Sequence, residues 1–294
     1  MNPYQLTFMQ DALLMAILVA LPCALLSCYL VLKGWSLIGD AVAHAVLPGL
    51  VLANLFGLPL IVGAFAAGSA CATSVHWLKQ NSRVKEDTLL GIVFSGFFAL
   101  GLILQGQFPS DLHLDHILFG NLLGINHQQL LTAAITGLIV LALVFLKGRD
   151  LMLLSFDPAQ ASVLGLPVQK LHWLLLSVMI ATIVAGLHAV GIILVVAMLI
   201  APGVTAFMLS KQFSRMLWIA CAIALVTAVG GVTLSFYLDS APGPTIVLLL
   251  TGCFVVTFAW QQYQIHRNQQ RPQPTPHVTH QATKETRPST TQSH

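Results

Sequence analysis

Gly39-Asp40-Ala41-Val42-Ala43-His44-Ala45-Val46-Leu47-Pro48-Gly49 sets a carboxylate and an imidazole four residues apart inside a long apolar run. On a helix that spacing stacks Asp40 and His44 on one face. An ionisable side chain in a membrane span is costly to bury, which makes the pair a functional candidate. Both side chains suit a divalent cation. Two other readings of the pair are open: a proton relay, and an Asp–His hydrogen bond that fixes helix packing. Pro48 removes a backbone donor, and its ring clashes with the carbonyl of His44, so a kink is expected there. A broken helix at membrane depth is tolerated where it lines a cavity or is covered by protein.

Outward from this stretch the composition is that of a polytopic membrane protein. The chain has 294 residues, of which 56% are hydrophobic and 8% charged, with a mean hydropathy of +0.83. A soluble domain carries roughly 25% charged residues. The net charge of +3 lies in loops and the C-terminal segment and gives no nucleic-acid signal. The first ten residues lack a basic n-region and a small-residue cleavage pattern, so no cleaved signal peptide is expected. Cys23, Cys28, Cys71, Cys221 and Cys253 all lie in apolar segments without a CxxC pair and read as small buried hydrophobes.

A crossing helix needs about 20 mostly apolar residues. Spans are expected near 11–32, 36–56, 59–78, 88–106, 128–146, 171–188, 191–209, 216–238 and 245–264. The stretch 171–209 is almost unbroken. It must cross twice if Lys170 and Lys211 share a side, with a turn near Gly186-Leu187-His188-Ala189; eight spans is the alternative. Basic loop residues are retained in the cytoplasm. Lys33, the group Lys79, Arg83 and Lys85, then Lys147 and Arg149, Lys211 and Arg215, and Arg267 and Arg271 mark that side. Loops 107–115 and 239–244 carry Asp without Lys or Arg and mark the other. The N-terminus is thereby expected outside and the C-terminus inside. The segment 116–127 is too short to cross and reads as a short helix at the outer interface. His113, Asp115 and His116 nearby read as loop polarity, and His188 as an interfacial histidine. From about 265 to 294 Gln, Pro, Thr, Arg and His dominate, which cannot support a core and predicts a disordered polar cytoplasmic tail.

Two further stretches stand out. Gly191 through Pro202-Gly203 to Ser210-Lys211-Gln212-Phe213-Ser214-Arg215 reads as an apolar helix that Pro-Gly ends, followed by a short amphipathic segment along the cytoplasmic surface. In Asp157-Pro158 through Gly165, an N-cap carboxylate with Pro at the first helical position starts a short helix, and the glycine ends it. A phosphate-binding loop G-x-x-x-x-G-K-[ST] is absent, so the chain itself does not hydrolyse ATP. H-E-x-x-H and G-x-S-x-G are absent as well.

Together these stretches resemble the membrane permeases of the metal-chelate ABC importer family, over about residues 10–262. The residues that carry the likeness are Leu32-Lys33-Gly34-Trp35-Ser36-Leu37-Ile38-Gly39-Asp40 through His44 to Pro48-Gly49, Lys85-Glu86-Asp87, Leu118-Phe119-Gly120-Asn121, Phe156-Asp157 through Leu164-Gly165, and Val190-Gly191 through Ala201-Pro202. The motif at 32–49 is most similar to the manganese and iron branch.

The resemblance implies an all-α permease of about eight to nine transmembrane helices. Its fold would be similar to that of the vitamin B12-type importers, with residues 1–264 as one membrane unit. It implies a multi-pass protein of the bacterial inner membrane that moves Mn²⁺, Fe²⁺ or Zn²⁺ as cargo and holds no permanent cofactor. The implied partners are cytoplasmic ATPase subunits, a second permease subunit (identical or homologous), a periplasmic or lipid-anchored metal receptor, and membrane lipid. Asp40 and His44 are the implied metal ligands. Pro202, Gly203, Ala206, Ser210, Lys211, Phe213 and Arg215 match the place of the ATPase-docking coupling helix. A proton-coupled secondary transporter that needs no ATPase is the alternative function; inverted repeats would support it, and none is evident. An intramembrane enzyme would need a third protein ligand.

Overall fold

Long apolar stretches without a polar side for solvent leave the chain one way to satisfy its backbone in a bilayer, which is to coil each stretch into a helix. In a computed structural model the described residues are 7–108, 120, 122 and 124–269, without the side chains of Ser36, His188, Asn268 and Gln269. They form α1 (Thr7–Lys33), α2 (Ser36–Ala45), α3 (Leu47–Leu55), α4 (Leu60–Asn81), α5 (Glu86–Gln107), α6 (His127–Phe156), α7 (Pro158–Val163), α8 (Val168–Val190), α9 (Ile192–Leu209), α10 (Phe213–Leu238) and α11 (Pro242–Gln269), with no strand among them. Counting α2 and α3 as one broken crossing, nine of the described helical segments are long and apolar enough to span a membrane.

The central elements are α1, the α2–α3 pair and α8, whose apolar residues are mostly buried inside the chain; α5, α6 and α11 turn most of theirs outward. One group is built on α1, which packs against α9, α10 and α6, with α11 closing on α9 and α10. The other joins α2, α3, α4 and α5, and α8 lies between the groups, touching α1, α2, α4, α6 and α9. Because successive spans alternate in direction, Lys33, the 79–85 group, Lys147, Arg149, Lys170, Lys211, Arg215 and Arg267 all gather at one end of the bundle. The opposite end has no Lys or Arg among the described residues.

The structure moves several expected boundaries. The turn inside 171–209 is at Gly191, not at 186–189: α8 runs on through Val190, and Gly191 adopts φ +81° and ψ 165°. That backbone region is essentially reserved for glycine. Gly186 serves packing instead, since a Cβ there would stand 2.6 Å from the Val195 side chain of α9. The break expected at Pro202 does not occur. Pro202 is buried inside α9, which continues to Leu209. Neighbouring helices hold it there: Gly203 lies so close to α1 that a Cβ would come within 2.6 Å of Ser27 Oγ. α6 extends ten residues beyond its expected span end at 146 and carries the Lys147–Asp150 ion pair (3.4 Å) on its surface. α11 stays helical through Gln269. The interfacial helix expected at 116–127 and the His113, Asp115 and His116 group lie wholly or largely outside the described residues, as does the chain from 270 on.

Candidate metal site and the ledge at the basic end

The kink anticipated from Pro48 separates α2 from α3 at Val46. Pro48 occupies the first turn of α3, where a missing N–H costs least. The break is clamped from two sides. Gly63 of α4 meets the backbone of Gly49, and a Cβ on Gly101 of α5 would stand 2.9 Å from Pro48 N. These contacts fix how α2 presents its side chains.

On α2, Asp40 and His44 come together as the i, i+4 spacing requires. His44 Nδ1 lies 3.0 Å from the Asp40 carbonyl oxygen and 3.3 Å from its Oδ1. Both partners are acceptors, so Nδ1 carries the proton and Nε2 keeps its lone pair for a cation. Phe94 and Phe98 of α5 stand beside the imidazole, with ring centroids 6.1 and 5.7 Å away. The pair is not sealed in: Asp40 is 40% and His44 27% exposed. Its hydrogen bond lies within one helix, so it does not tie two helices together. No group of three or more His, Cys, Asp or Glu side chains is arranged to hold a metal among the described residues. The chain thus presents a carboxylate and an imidazole on an open face.

The sequence profile of the ABC 3 transport family matches residues 5–261. The chain belongs to the ABC 3 transport family. Relatives include the chelated iron transport system membrane protein YfeD of Yersinia pestis, 52% identical over 88% of this chain and 87% of its own length. The manganese transport system membrane protein MntB of a Synechocystis species is 45% identical over 87% of this chain and 83% of its length. Among solved structures, PsaBC from Streptococcus pneumoniae in complex with Fab superposes with a TM-score of 0.81 at 35% identity, covering 90% of this chain and 97% of that one. The described residues, helical with nine segments long and apolar enough to span, accordingly have the architecture of an ABC 3 family permease.

Of the residues expected to dock an ATPase, this ABC 3 family chain uses Pro202, Gly203 and Ala206 inside its own core. All three are buried within the chain, Gly203 against Ser27 of α1. Lys211 and Arg215 are exposed, and Ser210 and Phe213 half-buried, at the α9–α10 turn. Phe156 lines a cavity together with Ser210, Lys211 and Phe213, and it belongs to an exposed apolar group at the same end of the bundle that the expected docking residues left out. Phe156 is 76%, Val163 87% and Leu164 65% exposed. Phe156 and Leu164 flank α7 and Val163 is its last residue; its N-cap Asp157 accepts from the Ala159 and Gln160 amides at 3.0 Å. Gly165 closes the helix at φ +76°. The signal was present in the sequence as apolar residues inside a capped helix too short to cross.

Proposed function

We propose that this chain is the transmembrane permease subunit of an ATP-driven importer of divalent metal ions, Mn²⁺, Fe²⁺ or Zn²⁺. The observation that carries the reading is the half-built site on α2, a carboxylate and an imidazole partly exposed on one face. A second permease subunit related by a two-fold axis would bring the same two side chains. Two carboxylates and two imidazoles would then form a transient oxygen–nitrogen site suited to these ions. Such a site must accept the ion yet release it. The names of the iron and manganese relatives support the cargo class.

The basic end of the bundle faces the cytoplasm by the retention rule for Lys and Arg. ATPase subunits bind there, on the ledge formed by α7 and the α9–α10 turn, with Val163 and Leu164 entering the partner and Lys211 and Arg215 at its rim. A metal receptor binds the opposite end and hands over the ion. Binding and hydrolysis of ATP in the partner shift the permease pair between states open to either side.

The test is uptake of radiolabelled Mn²⁺, Fe²⁺ and Zn²⁺ into vesicles holding the permease with its ATPase and receptor, wild type against Asp40→Ala. ATP-dependent uptake that collapses in the variant supports the reading, and the metal ranking names the cargo. Uptake unaffected by the substitution moves the ion path elsewhere. Uptake that proceeds without ATP in the presence of a proton gradient replaces the importer with a secondary transporter.

A further inference from the structure

At the basic end, on the far side of α2 from Asp40 and His44, the chain forms a half-open cavity of about 300 Å³. Ile38 and Val42 of α2 line it. Asp40 and His44 follow each of them by two residues, roughly 200° around the helix at about 100° per residue, so the two regions face opposite ways. His76 of α4 and His172 of α8 also line the cavity, with Lys79 and Glu86 at its mouth.

The two imidazoles have ring centroids 5.0 Å apart. A tetrahedral ion about 2.0–2.1 Å from one nitrogen of each ring places their centroids about 5 Å apart. Each ring offers an acceptor nitrogen. His172 Nδ1 lies 3.2 Å from the Lys33 ammonium, which can only donate. His76 Nε2 faces the Gln80 carboxamide nitrogen at 2.9 Å. Lys33 therefore already holds a positive charge against the lone pair that a metal ion would use. Its Nζ stands 3.8 Å from the centroid of Trp35, an attraction of the cation–π kind. It also has somewhere else to go: Lys33 ends α1, where the helix dipole favours a cation, and Gly34 follows at φ +71° in open space.

We propose that His76 and His172 form a second, cytoplasm-facing site for a divalent transition-metal cation, in which Lys33 holds the His172 lone pair as a tethered substitute until the ion displaces it. Glu86, now paired with Lys79, is the carboxylate that completes the site when the ion arrives. That the site faces the cytoplasm rests on the orientation proposed above; that it binds metal does not. Set apart from the α2 pair, it samples ion already delivered, and filling it would draw α4, α5 and α8 together at the basic end.

The test is Co²⁺ titration followed by its visible absorption, on the full permease carrying Asp40→Ala and His44→Ala so that the α2 pair is silent. In this background Lys33→Met is expected to bind Co²⁺ at least about tenfold tighter than the Lys33 parent, because a like charge a few ångströms from the ion is removed. Lys33→Arg should bind as the parent does. Adding His76→Ala or His172→Ala to Lys33→Met should abolish the band. Lys33→Met binding no tighter than the parent would overturn the proposal, as would a band that survives loss of either histidine. If Lys33→Met does not assemble, the parent's weaker band must disappear in His172→Ala, and its persistence counts against the site. None of these readings depends on transport, so they stand or fall apart from the importer.

Discussion

His44 Nδ1 is bracketed by two oxygens of a single residue, the carbonyl and the carboxylate of Asp40. Asp40 thus orients the ring, and in the proposed importer it would also be the anionic ligand. Asp40→Asn keeps the backbone acceptor and the side-chain size but removes the charge. It is expected to leave expression and assembly intact while metal affinity falls about 10–100-fold, the usual cost of losing such a partner. Uptake kinetics against free metal concentration, with size-exclusion chromatography as the assembly control, checks this. An unchanged apparent affinity would remove Asp40 from the ion path.

The α3–α4 crossing should be sensitive to a single methyl group. A Cβ on Gly63 would overlap the Gly49 carbonyl and crowd Ala53, so backbone must move. Gly63→Ala is expected to cost about 1–3 kcal/mol, the range for overpacking. Thermal unfolding in detergent should show a lower midpoint than wild type, whereas Gly91→Ala, in open space on α5, should not.

Asp157 holds two amides of the short helix α7. Asp157→Ala is expected to destabilise α7 by about 1 kcal/mol, and Asp157→Asn, which can still cap, by much less. Permease-stimulated ATP hydrolysis by the partner should fall in the alanine variant and largely recover in the asparagine one. Equal activity in both would show that α7 order is irrelevant to coupling.

The docking ledge makes a sharper prediction. Val163→Asp and Leu164→Asp place a charge where an apolar side chain would be buried against the ATPase, an arrangement that costs several-fold or more in affinity. Co-purification of the ATPase should drop while the permease keeps its unfolding midpoint, because both side chains are exposed in the free chain. Gly203→Val should do the reverse, lowering the midpoint through its collision with Ser27. Retained co-purification with Leu164→Asp would shift docking to the Lys211–Arg215 turn.

What sequence alone conveyed follows from the range of the interactions involved. The spans, the Asp40–His44 pairing and the Asp157-Pro158 cap depend on neighbours within a few residues, and all three are visible from spacing. The turn at Gly191 was misplaced because hydropathy is continuous across it; only the positive φ marks the reversal. Pro202 was expected to end a helix by a local rule, and tertiary contact with α1 overrides that rule. The Lys33–His172 contact joins residues 139 positions apart. No periodicity brings such a pair together, so the surroundings of His172 were illegible until α1 and α8 were packed.

The break at Val46 has an electrical consequence. α2 begins at Ser36, so Asp40 lies only about 6 Å and His44 about 12 Å along the helix from the basic end, in a crossing of about 28 Å. With that end in the cytoplasm, an ion reaching the pair from outside has already fallen through most of the transmembrane voltage. A 100 mV potential is worth about 2.3 kcal/mol for each elementary charge moved across it, and a dication gains twice the corresponding share. Loading of the α2 pair is then drawn by roughly two thirds of the resting potential of the cell, and release into the cytoplasm by the remaining third. Depolarisation should weaken capture of the ion about twice as strongly as it affects discharge.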